Sequence, residues 1–552
     1  MRGGRLRWSA RVCAALVVAM AFAAASCSAE DAGPGRPYTP DEAERGNAEA
    51  KAAREPPAKA AREPPAEPAG ESAPDPSSTG KVHPCAGAGR WFPDGKDRLA
   101  RVVDKYLDVK KAAIPEAPLA LIVPHAGYRF SGACAGHAYA ALKGHAYDRV
   151  ILIGLSHTRP LRRASVLRVD AYETPLGRIG VDLAARDALL ASPVVTEQPP
   201  CHKVEWSCEN QLPFLQRVLG DFRMVELLVG DLTDADRARL AEAVRGLLGE
   251  KTLLVTSSDF THFGPNYRYV PFKKNVRQNL KRLNAEAVHC LCRCDLAAWD
   301  RHLAETHDTI CGRNGIGLFL KVIEPFADVC AARVAMDMSG EMTGDWTNSV
   351  TYAGLVFWRS GEGLTRDEQH TLLDLARKAV AHFLETGKVL EVDADRASLT
   401  PALKARRAAF VTLTNAGRLR GCIGHIRAVE PLWRSVVQNA CRACEDRRFR
   451  ASPVTKDEVD ELTIEISVLS PTRPVEDIER IVIGRDGLIM ARGRRRGVFL
   501  PQVPIEQGWD RLDYLIHLCG KASLPTGAWR DDETKLYRFT AQVFHEKKEA
   551  SP

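Results

Sequence analysis

Between residues 85 and 359, short apolar runs alternate with stretches of helical periodicity. Ala117-Pro-Leu-Ala-Leu-Ile-Val123, Arg149-Val-Ile-Leu-Ile-Gly154, Met224-Val-Glu-Leu-Leu-Val229 and Thr252-Leu-Leu-Val-Thr256 read as buried strands. The proline in the first is tolerable only near a strand start. Residues 234–248 read as a helix between the third and fourth runs. This alternation predicts an α/β sheet with helices on both faces. From Gly363 to Phe544 the order changes. A helix is predicted over Asp367 to Glu385, with Leu372, Leu373, Leu375, Ala376, Val380 and Phe383 as its apolar positions. Strands follow at Ala408 to Leu413 and at Glu461 to Leu469.

The chain begins differently. Arg2, Arg5, Arg7 and Arg11 precede an apolar run from Val12 to Ala25, too short to span a bilayer comfortably but long enough for a signal-peptide core. The run ends in Ala24-Ala25-Ser26-Cys27, which resembles a bacterial lipobox. Residues 1–27 are therefore expected to be a lipoprotein-type signal, with Cys27 the lipidated residue and the mature protein anchored to the cell membrane on its extracytoplasmic side. Plain secretion with Cys27 incidental is the alternative. Residues 28–80 hold ten of the 33 prolines, and the octad from Lys51 to Ala58 recurs unchanged from Lys59 to Ala66. With almost no aromatics, this stretch has no core to bury and is expected to be a disordered linker.

Composition narrows the classes. The 552 residues allow three or four units, and a hydrophobic fraction of 45% excludes disorder of the whole chain. A net charge of +7 is too small at this length to imply a nucleic-acid partner, and 15 cysteines are too sparse for a disulfide scaffold. Arg492, Arg494, Arg495 and Arg496 lie in a glycine-flanked knot that reads as a solvated hairpin turn, without the interleaved aromatics of a nucleic-acid face.

Three of the four strands in the first body run into polar residues. Pro124-His125-Ala126-Gly127-Tyr128 follows the first, Leu155-Ser156-His157 the second, and Ser257-Ser258-Asp259-Phe260-Thr261-His262 the fourth. Further on stands Thr309-Ile310-Cys311-Gly312. Loops after strand ends carry the chemistry of α/β sheets. Imidazole nitrogen, thiolate sulfur and carboxylate oxygen together suit a transition metal.

These residues carry a resemblance. Ala86-Gly-Ala-Gly-Arg-Trp-Phe-Pro93, His125-Ala-Gly-Tyr-Arg-Phe-Ser-Gly132, Ile153-Gly-Leu-Ser-His157, Glu209-Asn-Gln-Leu-Pro-Phe214, Ser257-Ser-Asp-Phe-Thr-His262, Thr309-Ile-Cys-Gly312 and Thr343-Gly-Asp345 resemble, in order, the MEMO family, called AmmeMemoRadiSam system protein B in bacteria. The resemblance implies a fold similar to class III extradiol dioxygenases. It places metal ligands on His125, His157 and Cys311, with Asp259 and His262 as further pocket residues. The second body resembles the AMMECR family, AmmeMemoRadiSam system protein A. The matching pieces are Leu419-Arg-Gly-Cys-Ile-Gly424, Asp446-Arg-Arg-Phe449, Phe499-Leu-Pro-Gln-Val503 and Glu506-Gln-Gly-Trp-Asp510. The expected organisation is a MEMO-like domain over 81–360 followed by an α+β AMMECR-like domain over 361–546. The shared system implies a radical SAM protein as partner. Cys290-x-Cys-x-Cys294 lacks the spacing of a radical SAM cluster, so this chain is not that partner.

One departure stands out. The family usually has Glu-His-Ser where this chain reads Glu205-Trp206-Ser207. An indole N–H only donates, so Trp206 cannot shuttle protons or bind metal as imidazole does. His202, four residues earlier, is the candidate substitute. In the second body, Cys422 between Gly421 and Gly424 is a candidate nucleophile whose pKa Arg420 would lower, or else a small buried residue in a tight turn. Cys441-x-x-Cys444 shares one face of a predicted helix and is a candidate redox pair or half of a zinc site, although no second pair has matching spacing.

A His/His/Cys set replaces the hard carboxylate of oxygen-activating iron sites with a soft, oxidisable thiolate. The leading expectation is thus a tethered, redox-capable metalloprotein holding iron, with copper or zinc as alternatives. Its second domain would recognise or modify a substrate. A dioxygenase-type oxidoreductase and a non-catalytic peptide- or ligand-binding protein are the other two readings.

Overall fold

The structure, a computed structural model, describes residues 80–546 except 113, 115, 362 and 394–398. The predicted signal segment with Cys27, and the linker up to residue 79, lie outside the described residues. Both lobes belong to one compact unit.

The first lobe is built on the predicted strands: β1 (Pro118–Val123), β2 (Arg149–Gly154), β3 (Arg223–Val229) and β4 (Thr252–Ser257). They are mutually parallel, and the antiparallel pair β5 (Val329–Met338) and β6 (Ser349–Arg359) extends the sheet beyond β1. The full order is His262–Phe263, β6, β1, β4, β2, β3, Ala164–Ser165, Val195–Thr196, with β5 on β6. The apolar side chains of β1, β2 and β4 divide between two cores, one on each face. This two-sided burial is why the strands read as continuous apolar runs. Helix Tyr128–Ala140 covers one face, while helices Asp234–Arg245 and Arg313–Ile323 cover the other. The fold is the expected α/β architecture.

Strand order decides where the chemistry gathers. β4 lies between β1 and β2, pairing Val123 with Ser257 on one side and Ile153 with Thr256 on the other. All three run the same way, so their carboxyl ends meet at one sheet edge. The loop leaving β4 is therefore flanked by the loops carrying His125 and His157.

The second lobe has two four-stranded antiparallel sheets. The long helix Arg366–Thr386 opens with a capping box between Thr365 and Glu368 and closes on Gly387 at φ 69°. It packs with helix Leu432–Cys444 against the strands Ala408–Asn415 and Leu462–Leu469. Antiparallel sheets with segregated helices match the α+β expectation. The arginine knot forms the predicted hairpin: Arg492 pairs with Arg495 across a two-residue turn, and the Arg492 guanidinium meets Asp531 at 2.8 Å. Cys441 and Cys444 are buried in the helix core, their thiols directed to the carbonyls of Ala379 and Ala440. They serve as small core residues, and the redox-pair expectation gains no partner or opening.

The lobes share a core. Leu488, Met490, Tyr514 and Leu515 of the second lobe cluster with Val288 and Leu291 of helix Val276–Cys292 in the first. Arg293, just past that helix, pairs with Glu465, and Asp295 meets His545 at 3.0 Å.

Candidate functional site

His125 stands two residues past β1, His157 three past β2, and Cys311 just before helix Arg313–Ile323. Their ligand atoms lie within 4.8 Å of one another. Cys311 Sγ is 3.2 Å from His125 Nε2, and the two imidazoles meet edge to face with centroids 5.0 Å apart.

The protonation of both rings follows from their partners. Ser257 Oγ donates its only proton to the Ser207 carbonyl at 2.5 Å. Toward His125 Nδ1, 2.9 Å away, it must therefore accept, which puts the proton on Nδ1 and leaves Nε2 with its lone pair. His157 Nδ1 lies 2.9 Å from Glu205 Oε1, and a carboxylate only accepts, so Nδ1 carries a proton there too. His125 thus turns an unprotonated Nε2 toward the thiol, and the Glu205 contact of His157 leaves its Nε2 available. This is how metal-binding imidazoles are held, one nitrogen pinned and the other free.

The charge states agree. Burial, and then the neighbouring His157, hold His125 well below its ordinary range, so it is a neutral ring. Burial, reinforced by Asp259, pushes the Cys311 thiol well above its usual value. Burial alone would raise the Glu205 carboxyl, but hydrogen bonds from His157 and Ser207 outweigh it and hold the group low. A neutral His125 imidazole, the His157 ring and a protonated thiol are what a cation would meet. Its binding would displace the thiol proton. With metal–nitrogen distances of about 2.0 Å and metal–sulfur of about 2.3 Å, this donor set fits a three-ligand site that leaves a position open.

The short turn Glu209–Gln211, upstream of β3, holds the frame. Glu209 accepts the backbone N–H groups of Ala86 and Gly87, the latter at 2.7 Å. Asn210 Nδ2 donates to the His125 carbonyl at 2.5 Å, and Gln211 Nε2 to the Pro124 carbonyl at 3.0 Å and Ser257 Oγ at 2.8 Å. Glu209, spent on this clamp, is not a ligand. Asp259 Oδ1 accepts the backbone N–H groups of His125 at 2.8 Å and Ala126 at 3.2 Å. Burial raises its carboxyl above the ordinary range against the pull of His262. His262 Nδ1 faces the Thr309 carbonyl at 3.1 Å, which only accepts, so Nδ1 is the donor of that pair. The edge-on ring of Tyr267 lies 5.1 Å from it.

Trp206, at the family's usual histidine position, stacks on the His157 ring at 4.3 Å and 8°. Trp91 stacks on Trp206 in turn at 4.5 Å, and the Arg90 guanidinium sits 5.0 Å from the Trp91 ring. The indole thus walls the His157 side of the pocket. His202 does not replace the missing imidazole. Its Nδ1 meets Glu226 at 2.8 Å and its Nε2 meets Ser165 at 2.9 Å, both in the core. The expectation of a substitute is corrected: Glu226, buried mid-strand in β3, claims that ring.

In the second lobe Cys422 lies in a strand, Arg418–Gly424, and not in a tight turn. Burial raises its thiol, while the Thr412 hydroxyl, donating at 3.2 Å, and Arg448 pull the other way. Arg420 does not activate it, because its guanidinium is held by Glu458 at 2.8 Å and by the carbonyls of Ser452 and Pro453. Cys290 is packed in the core, and among the described residues the group of three with metal-holding geometry is His125, His157 and Cys311.

Sequence reasoning placed these three together with Asp259 and His262. It missed Glu205, Ser257, Gln211 and Trp91 as the residues that orient and enclose them. The one available signal was a glutamate, an asparagine and a glutamine buried within the quoted motifs.

Comparison with known proteins gives two family matches: Memo-like protein over residues 83–356 and AMMECR1 over residues 373–544. Protein MK0488 of Methanopyrus kandleri is 42% identical over 203 residues, which is 35% of this chain and 95% of that protein. A protein of Methanothermobacter thermautotrophicus is 43% identical over 190 residues, 33% of this chain and 96% of its own length. Among solved structures, uncharacterized protein PH0010 from Pyrococcus horikoshii is 39% identical, covering 32% of this chain and 90% of that one, with a TM-score of 0.30. The chain therefore belongs to both families, as a Memo-like domain fused to an AMMECR1 domain.

Proposed function

We propose that the Memo-like domain is a redox-capable metal site and that the AMMECR1 domain serves the same reaction by handling its substrate. The observation that carries this reading is the pair of imidazoles pinned at Nδ1 beside a half-buried thiol, their ligand atoms all within 4.8 Å. A transition metal there, iron first and copper or zinc otherwise, supplies an open coordination position and, for iron or copper, a one-electron couple. The protein's own part is to pin Nδ1 of His125 and of His157 and to fix the His157 ring plane by the Trp206 stack. His262, its Nδ1 held on the Thr309 carbonyl, is the group placed to exchange a proton with a bound substrate, and Asp259, whose carboxyl is raised by burial, lies within its electrostatic reach.

The dioxygenase reading needs a carboxylate ligand. Asp259 spends one oxygen on two backbone N–H groups and Glu209 is clamped, which favours the His/His/Cys set over two histidines and a carboxylate. The proposal extends to anchoring at the cell membrane through Cys27 and to a radical SAM partner, both resting on the sequence resemblance. Its test is metal analysis of protein purified without oxygen, followed by reductive and oxidative titration. One equivalent of a metal that cycles reversibly supports it. Stable folded protein that binds no transition metal would instead favour a non-catalytic binding role.

A further inference from the structure

The segments around the pocket mouth carry arginines with hardly any acid to answer them. Arg90 lies over the Trp91–Trp206 stack. Arg159 follows His157 by two residues, and Arg313 follows Cys311 by two. Arg129 is in the first turn of the helix after His125, and Arg268 adjoins Tyr267, whose ring faces His262. All five side chains are exposed, and among the described residues none has a carboxylate within ion-pair distance. Within these segments Asp259 and Asp308 are buried and Asp94 is exposed; the exposed Asp231, bonded to Asn314, and Asp345, on the loop that binds the Asn266 N–H through Asn348, are not within ion-pair distance of the five.

A second feature points the same way. The helices Tyr128–Ala140 and Arg313–Ile323 both begin at this mouth, at Gly127 and Gly312. Neither has a side-chain cap or an acidic residue in its first turn. Helix starts normally recruit Asp, Glu or Ser to satisfy their N–H groups and their partial positive charge. Here the first N–H groups meet neutral acceptors, Tyr128 N–H the Trp91 carbonyl at 2.9 Å and Gly312 N–H the Ser258 hydroxyl oxygen at 3.0 Å, so neither helix start carries a charged cap. A low-dielectric cleft lined by one sign of charge concentrates ligands of the other sign.

We infer that the pocket takes a small anionic organic substrate, bearing carboxylate or phosphate, drawn in by the arginines at its mouth. This rests on the reading of the pocket as the functional site, and it adds the charge class of what enters. Unpaired guanidiniums favour planar anionic groups, which they bind through two parallel hydrogen bonds.

Cys311, half-buried beside His125, reports the field directly. In chelator-treated full-length protein, its sulfur can be alkylated by iodoacetate, an anion, or by iodoacetamide, its neutral counterpart. In each case the thiol loses its proton to solvent, a carbon–sulfur bond forms, and iodide leaves. The ratio of the two rate constants at Cys311, located by peptide mass spectrometry, cancels the thiol's own acidity. The expected ratio is several-fold above that of N-acetylcysteine and falls as salt is raised. The double variant Arg90→Gln/Arg159→Gln is expected to lower it about fourfold, since a unit charge about 10 Å away in water changes a rate about twofold. Arg494→Gln, on the far hairpin, is expected to leave it unchanged. A wild-type ratio no higher than that of N-acetylcysteine, or one indifferent to the double variant, overturns the inference. If the thiol resists both reagents, iodide against acrylamide quenching of the fluorescence lost in Trp206→Phe reads the same field, and equal accessibility overturns it. Neither readout uses metal, so a failed metal site would leave the answer intact.

Discussion

Replacing Glu205 by glutamine separates the metal site's orientation from its ligands. The Glu205 side chain is 1% exposed. Its Oε1 accepts His157 Nδ1–H at 2.9 Å, Trp206 N–H at 3.0 Å and Ser207 N–H at 2.7 Å, while Oε2 accepts the His157 backbone N–H. Glutamine keeps the shape. Its carbonyl can serve the three donors as a neutral acceptor, but its amide then points a second donor at the His157 N–H. One buried N–H is orphaned at a cost of about 1–3 kcal/mol, and the three remaining bonds lose their charge assistance. The fold should survive with a loss of about 3 kcal/mol. Losses of this kind behind a metal-binding imidazole lower affinity about 10- to 100-fold. Competition with a chromophoric chelator measures that directly, with near-ultraviolet circular dichroism as the check on folding. A folded variant whose affinity stays within about twofold of wild type would refute the idea that Glu205 sets the His157 tautomer.

Three further outcomes are expected. A methyl group at Gly312 would fall 2.5 Å from Ser258 Cβ and 2.6 Å from its Oγ, so Gly312→Ala should cost about 1–3 kcal/mol by thermal melting and weaken metal retention through Cys311. Hydrogen bonds from Arg448 and the Cys422 N–H outweigh burial and hold the Asp446 carboxyl below its ordinary value, so its contribution is present above the unfolded carboxylate range and lost as pH falls through the folded one. Asp446→Asn should therefore destabilise by about 1–2 kcal/mol at pH 7, with the difference fading below about pH 4 in denaturant titrations; a difference constant with pH contradicts this. Cys27→Ala should move the protein from the membrane to the soluble fraction or leave it uncleaved, and unchanged processing and membrane association would count against the lipid anchor.

The sheet was legible because strands buried on both faces leave unbroken apolar runs, as in Arg149-Val-Ile-Leu-Ile-Gly154. His125 and His157 were legible because each follows such a run directly. The orienting residues were not, since Glu205 and Ser257 reach their histidines across 48 and 132 residues. His202 misled for a related reason. Nearness to Trp206 along the chain suggested the pocket, whereas Glu226, the lone charge inside an apolar strand, was the sign of a buried partner. Arg420 sits two residues from Cys422, but Glu458 and two carbonyls bind its guanidinium first.

The central claim is that His125, His157 and Cys311 hold one metal ion. Its most direct test is the metal content of His125→Ala, His157→Ala and Cys311→Ser, each purified beside wild type without oxygen. Three protein ligands leave little redundancy, so each variant should lose most of the single equivalent that wild type retains. Full retention by all three would contradict the claim. Retention by Cys311→Ser alone would put a carboxylate, Asp259, in place of the thiolate and return the dioxygenase reading to first place.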